Sequence, residues 1–178
     1  MSTLPTTPQY RAMILEAAKG GDADEVAQIT EKSLKDVLEV RRALDAFIAE
    51  LACERITDEE LIKLKKAAKD FEAATKEKDT TTLASTDVAF HDIIIEATGN
   101  VRLKQLVNNL AEQMYRYRFV YLADESSHEG LVREHKTIYE AILKRDKKAA
   151  SNAARLHIDN QEKAIIEHLK KEKERDGK

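Results

Sequence analysis

The chain has 178 residues, of which 42% are hydrophobic and 35% charged, proportions typical of one soluble globular domain. Its 30 basic and 33 acidic side chains give a net charge of −3, which excludes an overall bias towards nucleic acid but not a local basic patch. The single cysteine, Cys53, excludes a disulfide framework and a cysteine-cluster metal site. No apolar run is long enough to span a membrane, and Met1 to Pro8 lack the pattern of a secretory signal, so we expect a cytoplasmic protein.

Turn-forming residues are scarce. Both prolines, Pro5 and Pro8, lie in the first eight residues, and the chain contains only five glycines. Long stretches rich in Ala, Leu, Glu and Lys favour helix, whereas β-proteins need frequent turns. The sequence therefore predicts an all-α fold in which the helices bundle, since no heptad pattern runs long enough for a coiled coil.

Apolar spacings of three and four residues mark the helices in chain order. We expect helical segments at Tyr10–Lys19, from about Asp22, at Leu34–Arg55, from Thr57 through Phe71, at about Leu83–Thr98, at about Leu103–Tyr117, from Ser126 through Ile142, and from Asp146 to Leu169. Capping boxes are predicted at Thr57–Glu60 and Ser126–Glu129, a helix end at Gly99 and Asn100, and an N-cap at Asp146.

These segments divide the chain into a lead with a short helical segment (1–32), a helical bundle (33–170) and a charged tail (171–178). A weak similarity relates residues 17–28 to residues 141–152. Chance similarity between two helical hairpins explains it more simply than duplication does.

Polar side chains interrupt the apolar face of one predicted helix. Asp87 and His91 are four residues apart, so they stack on one face together with Phe90, Ile94 and Ile95. A buried carboxylate and a buried imidazole are costly unless something satisfies them.

Two other helices each place a histidine on an apolar face. His135 lies among Leu131, Val132, Ile138 and Tyr139, and His157 lies beside Ala153, Ala154 and Ile158. Imidazole and carboxylate together suit Zn, Ni, Co, Mn or Fe(II). The alternative is a buried polar network without a metal. The remaining histidines, His128 and His168, are expected to face solvent.

Arg41 also lies on an apolar face, beside Val37, Leu38 and Leu44. An inward guanidinium requires a carboxylate or phosphate partner. An internal salt bridge, for example to Asp45 on the next turn, is one explanation, and a bound anion is the other.

Other chemistries find no support. The sequence contains no Gly-rich phosphate loop and no H-E-x-x-H motif. Arginines and aromatics alternate between Tyr115 and Tyr121, which we interpret as the edge of a core beside a solvated face.

Four motifs resemble a known family, the ligand-sensing domain of GntR-superfamily transcriptional regulators of the FadR C-terminal (FCD) type. The run Leu38–Asp45 resembles its opening helix, Asp87–His91 its D-x-x-x-H motif, Glu134–Ile138 its E-H-x-x-I motif, and Ala154–His157 its closing A-x-x-H motif. The resemblance covers about Ser33 to Leu169, and the motifs occur in the family's order.

The resemblance implies an antiparallel bundle of six or seven helices with a metal at its centre. It implies that Asp87, His91, His135 and His157 bind one divalent transition metal ion, with zinc or nickel favoured. It also implies that Arg41 binds the carboxylate of a small organic acid, and that the chain forms a homodimer.

Regulators of this family carry an N-terminal winged helix-turn-helix. The 32 residues before Ser33 show no wing hairpin and too little helix for such a domain, so we expect no direct DNA binding by this chain alone. Two functions follow from the pattern: a metal-dependent carboxylate sensor of a transcriptional regulator, or a metal-dependent enzyme acting on a small organic acid. We favour the sensor, because the sequence offers no spare general base beside the ligands.

Overall fold

The computed structural model describes residues 31–77 and 79–176, and these form an antiparallel helical bundle. They contain six α-helices and one short 3-10 turn, and no β-strand. The helices are α1 (Glu31–Arg55), α2 (Asp58–Ala74), α3 (Thr80–Ala97), α4 (Val101–Ala123), α5 (His128–Leu143) and α6 (Lys147–Asp176), with the 3-10 turn at Glu125–Ser127. The predicted all-α bundle is confirmed.

Some expectations lie outside the described residues. These are the helical segments at Tyr10–Lys19 and from Asp22, and with them the first half of the weak internal similarity. The side chains of residues 111–117, 119 and 120 lie outside the description as well, which includes most of the predicted Tyr115–Tyr121 face.

Short side chains fix where most helices begin. Thr57 and Glu60 form the predicted capping box, in which the backbone N–H of Glu60 donates to the Thr57 hydroxyl and that of Thr57 donates to the Glu60 carboxylate. Asp146 caps α6 as predicted, accepting from the backbone N–H of Ala149 at 2.9 Å. Gly99 ends α3 with a φ of +58°, a conformation that glycine adopts without strain.

Three boundaries differ from the prediction. The expected capping box at Ser126–Glu129 is wrong, because the Ser126 hydroxyl donates to the Asp124 carboxylate at 2.6 Å and Ser127, the residue before α5, makes no side-chain cap. Helix α3 begins before Leu83, since the Asp79 carboxylate caps its first turn. Helix α6 continues through Asp176 into the expected tail, where Lys and Glu are good helix formers.

Helices α1 and α6 share the longest interface of the bundle. They run antiparallel: Arg42 in the middle of α1 contacts Asp159 and Glu162 in the middle of α6, whereas Glu54 near the end of α1 contacts Lys147 at the start of α6. Helix α2 packs on α3 and α5, and α5 packs on α6. Two clusters of buried side chains fill the space between the helices; their largest members include Phe90, Leu64, Ile56 and Ile142 in one, and Phe71, Leu38, Leu131 and Ile158 in the other. None of the helices described here is long and apolar enough to cross a membrane.

Candidate metal centre

Three helices bring histidines together in the interior. His91 of α3, His135 of α5 and His157 of α6 each offer a ring nitrogen, and these atoms lie within 4.8 Å of one another. His135 and His157 are 1% exposed. The side chain of His91 is 14% exposed, so the cluster lies just below the surface at that ring.

The side chain of His135 is held by aromatic rings. The Phe90 ring stacks on the imidazole with centroids 4.2 Å apart, and the Phe71 ring lies at 4.4 Å. Both phenylalanines are fully buried, so one side of the cluster is dry and rigid.

Asp87 lies beside the cluster, one helical turn before His91. Its Oδ1 lies 3.3 Å from Nε2 of His135 and 3.7 Å from Nε2 of His91. Its Oδ2 lies 2.8 Å from Nε of Arg118 in α4. The four residues that the sequence singled out as metal ligands are therefore together in space.

Several of these buried atoms make no hydrogen bond to any described residue. They are Oδ1 of Asp87, whose other oxygen is paired with Arg118, together with Nε2 of His91 and both ring nitrogens of His135. Buried polar groups in proteins are nearly always hydrogen-bonded, because a lost partner costs about 1–3 kcal/mol each. A divalent cation among two imidazoles and a carboxylate would satisfy one such atom on each residue, and this donor set suits zinc or nickel. The residues present thus fit a metal ion.

The protonation states of His91, His135 and Asp87 are also those required of metal ligands. Burial lowers the pKa of His91 to about 3, against the opposing effect of the Asp87 carboxylate, and burial lowers the pKa of His135 as well. Burial acts to raise the pKa of Asp87, but the Arg118 guanidinium and the two nearby imidazoles outweigh it and hold that pKa well below its ordinary value. Neutral imidazoles beside an ionised carboxylate are the forms that bind a metal.

His157 has a partner on each side of its ring. Nδ1 lies 2.7 Å from Oε2 of Glu134, and the other oxygen of that carboxylate accepts from the Asn160 amide at 2.7 Å. Nε2 lies 3.0 Å from the amide nitrogen of Gln161. A carboxylate that orients a histidine in this way is common around protein metal sites.

Arg41 is buried, as its spacing predicted, and is 7% exposed. Its Nε lies 3.2 Å from Oδ2 of Asp45, and its NH1 donates to Oε1 of Gln161 at 2.9 Å. The internal salt bridge offered as one explanation of Arg41 is therefore present. Gln161 also joins Arg41 to the ring of His157.

His128 and His168 do not belong to the cluster, but neither faces solvent fully. Both are half-buried, and Nε2 of His128 lies 2.8 Å from the carbonyl oxygen of Leu122 near the end of α4. The expectation that they face solvent is met only in part; at His128 the reason is local, since the orphan carbonyls at the C-terminus of a helix attract a ring N–H.

Sequence reasoning missed three residues of the site. Arg118 belongs to the segment interpreted as a core edge beside a solvated face, yet its side chain is only 10% exposed and contacts Asp87. Glu134 was noted only as part of a motif. Gln161 lies four residues after His157, so the helical period could have placed it on the same face.

Comparisons with known proteins identify the family. The FCD domain model matches residues 36–160. The HTH-type transcriptional regulator LutR of Bacillus subtilis is 31% identical over 140 residues, which cover 76% of this chain and 63% of LutR. A solved structure of Streptococcus agalactiae GntR is 26% identical with a TM-score of 0.66 and covers 80% of this chain and 64% of its own.

A solved structure of the metal-free FCD domain of TM0439 shares the fold, with a TM-score of 0.68, 23% identity, and coverage of 82% of this chain and 99% of its own. The chain belongs to the FCD domain family, and the family predicted from the four motifs is confirmed. It spans less than two thirds of the length of LutR, 63%. Curated relatives that it matches are named as transcriptional regulators, LutR and the Uxu operon transcriptional regulator of Escherichia coli among them.

Proposed function

We propose that this chain is the metal-dependent effector-sensing domain of a GntR/FadR-type transcriptional regulator, and that its effector is a small organic acid. The observation that carries the proposal is the convergence of Asp87 and three histidines, the latter from separate helices, with buried ring nitrogens of His91 and His135 that make no hydrogen bond to a described residue. The regulator relatives support the sensing part.

Asp87, His91, His135 and His157 would hold one divalent ion, with zinc or nickel favoured. When bound, the ion supplies positive charge and a coordination position for an oxygen ligand. The dry wall formed by Phe71 and Phe90 strengthens every electrostatic interaction on that side, because it keeps water away from His135.

Two buried guanidinium groups flank the histidines, and both favour an anionic effector. Arg118 reaches the site through Asp87, and Arg41 reaches it through Gln161. A divalent cation near two guanidinium groups is repelled by their positive charge, and a bound small carboxylate would reduce this repulsion. We assign the carboxylate contact to Arg41, whose planar fork can serve Asp45 and a second acceptor together.

In the complete regulator, we propose, the chain acts as a homodimer in the cytoplasm and transmits effector binding to a DNA-binding domain. With a net charge of −3 and an all-helical described region, the chain alone is not expected to bind duplex DNA with sequence specificity.

The test combines metal analysis with calorimetry. Protein loaded with Zn²⁺ or Ni²⁺ and dialysed should keep one equivalent of metal, and titration with a panel of acids that includes lactate, citrate and a sugar acid should show saturable binding. His135→Ala should lose both metal and acid binding. Failure of every acid to bind the metal-loaded wild type would refute the carboxylate sensor.

A further inference from the structure

The two ring nitrogens of His157 have opposite hydrogen-bonding roles, and the surrounding residues determine which is which. A guanidinium can only donate, so the Gln161 atom that meets NH1 of Arg41 at 2.9 Å is the carbonyl oxygen. The amide nitrogen of Gln161 then faces Nε2 of His157 at 3.0 Å and donates to it. Nε2 is therefore the lone-pair nitrogen of the ring.

The contact at the other ring nitrogen of His157 supports the same tautomer. Nδ1 of His157 lies 2.7 Å from the Glu134 carboxylate, which can only accept when ionised, so Nδ1 carries the proton. The nitrogen that could bind a metal is thus Nε2, which accepts a hydrogen bond from Gln161. His157, Gln161 and Arg41 are all buried, at 1%, 4% and 7% exposure, so water does not compete strongly for these contacts.

We propose that Gln161 competes with the metal for Nε2 of His157 and links metal occupancy to Arg41. This inference rests on the proposed function. One lone pair cannot serve the amide and a cation together, so metal binding requires the Gln161 amide to leave the ring. Movement of the Gln161 side chain also changes its contact with NH1 of Arg41, while the contact of Arg41 with Asp45 can persist. Metal binding and the position of the Arg41 guanidinium are thereby linked through one side chain.

The direction in which metal affinity changes on replacing Gln161 distinguishes this role from a purely structural one. A residue that merely supports a metal ligand lowers metal affinity when it is removed, by roughly 10- to 100-fold. A residue that occupies the ligand's lone pair raises metal affinity when it is removed. Gln161 and Glu134 bind opposite nitrogens of one ring, so their variants should change affinity in opposite directions.

The experiment measures Zn²⁺ affinity by competition with a chromophoric chelator. Gln161→Met and Gln161→Ala should each bind Zn²⁺ roughly two- to ten-fold more tightly than wild type, which corresponds to one neutral hydrogen bond. Glu134→Ala, the matched control, should bind more weakly. Circular dichroism confirms that each variant is folded, and unchanged or weaker affinity in the folded Gln161 variants would overturn the proposal.

A second measurement needs no variant. In ¹⁵N-labelled metal-free wild type, the His157 ring should show the tautomer with its proton on Nδ1. Addition of Zn²⁺ should shift the side-chain amide signals of Gln161. Amide signals that stay in place while Zn²⁺ binds contradict the role of Gln161 alone, whereas failure of wild type to bind Zn²⁺ contradicts the proposed function itself and this inference with it.

Discussion

Asp87 and Arg118 form a buried ion pair in which one carboxylate oxygen contacts Arg118 and the other lies near His135. Oδ2 of Asp87 lies 2.8 Å from Nε of Arg118, and Oδ1 lies 3.3 Å from Nε2 of His135. The pair joins α3 to α4 and leaves Oδ1 turned towards the histidines. Arg118 therefore keeps Asp87 ionised and also fixes its orientation.

Replacing Arg118 by Leu should destabilise the metal-free protein by about 3–5 kcal/mol, because it leaves the Asp87 carboxylate buried without a countercharge. Chemical denaturation monitored by circular dichroism measures the change. Arg133→Leu is the matched control, since Arg133 pairs with Glu129 on the surface of α5, and it should change stability by less than about 1 kcal/mol. Equal effects of the two substitutions would contradict the importance of the buried pair.

Acid should destabilise the metal-free protein before the Asp87 carboxylate protonates. The pKa of His91 is lowered to about 3, so between that value and the ordinary pKa of 6.5 the unfolded chain binds a proton that the folded site refuses. Stability therefore falls as pH decreases through this window, by up to about 1.4 kcal/mol per pH unit for one proton. His135, whose pKa is also lowered, adds to the same trend.

Urea denaturation at several pH values between 7 and 4 measures this slope. His91→Gln should reduce the slope, because glutamine does not titrate. A stability that is constant over this range in the wild type would show that the two rings are not buried in the neutral form.

Metal should stabilise the fold, because the ligands come from α3, α5 and α6 and the complete set exists only in the folded state. At a free metal concentration of 100 times Kd, the expected gain is about 2.7 kcal/mol. Differential scanning calorimetry with and without Zn²⁺ should show the rise in Tm. His135→Ala should abolish it, whereas His128→Gln, outside the cluster, should keep it.

Replacing Arg41 by Ala distinguishes the two explanations of this buried cation. If Arg41 binds the effector, we expect the variant to keep its metal and to lose carboxylate affinity by roughly 1.5–3 kcal/mol, the range for a hydrogen bond to a charged group. Asp45→Asn breaks the ion pair without removing the guanidinium and should retain most of that affinity. Calorimetric titration of the metal-loaded proteins decides; a variant that loses stability but binds acids normally would assign Arg41 to the fold.

Helical periodicity was sufficient to predict the fold and the inward faces. The spacing of Asp87 and His91, and the apolar neighbours of His135 and His157, identified side chains that the structure buries together. Periodicity shows which face of a helix points inward, but it does not show which inward residues of different helices meet. The contact of Arg118 with Asp87 joins the consecutive helices α3 and α4, and that of Gln161 with Arg41 joins α6 to α1; no local signal marks either contact.

A competing hydrogen bond to Asp124 explains why the predicted capping box at the start of α5 does not form. The pattern at Ser126–Glu129 fits a capping box, but the Asp124 carboxylate accepts from the backbone N–H of Ser126 and closes a 3-10 turn first. The chain therefore enters α5 already in a helical conformation, with Ser127 at φ −82° and ψ −20°. A capping box needs an extended N-cap residue, which this turn does not provide.

The two faces of α6 have a mechanical consequence. His157 and Gln161 face the metal centre, whereas Asp159 and Glu162, on the neighbouring face, hold Arg42 of α1 at 2.5 Å and 2.7 Å. A rotation of α6 about its axis that repositions His157 must either carry α1 with it or break both contacts of Arg42. The middle of α1 is thereby coupled to the orientation of His157, and Arg42→Gln would weaken that coupling while leaving every proposed metal ligand unchanged.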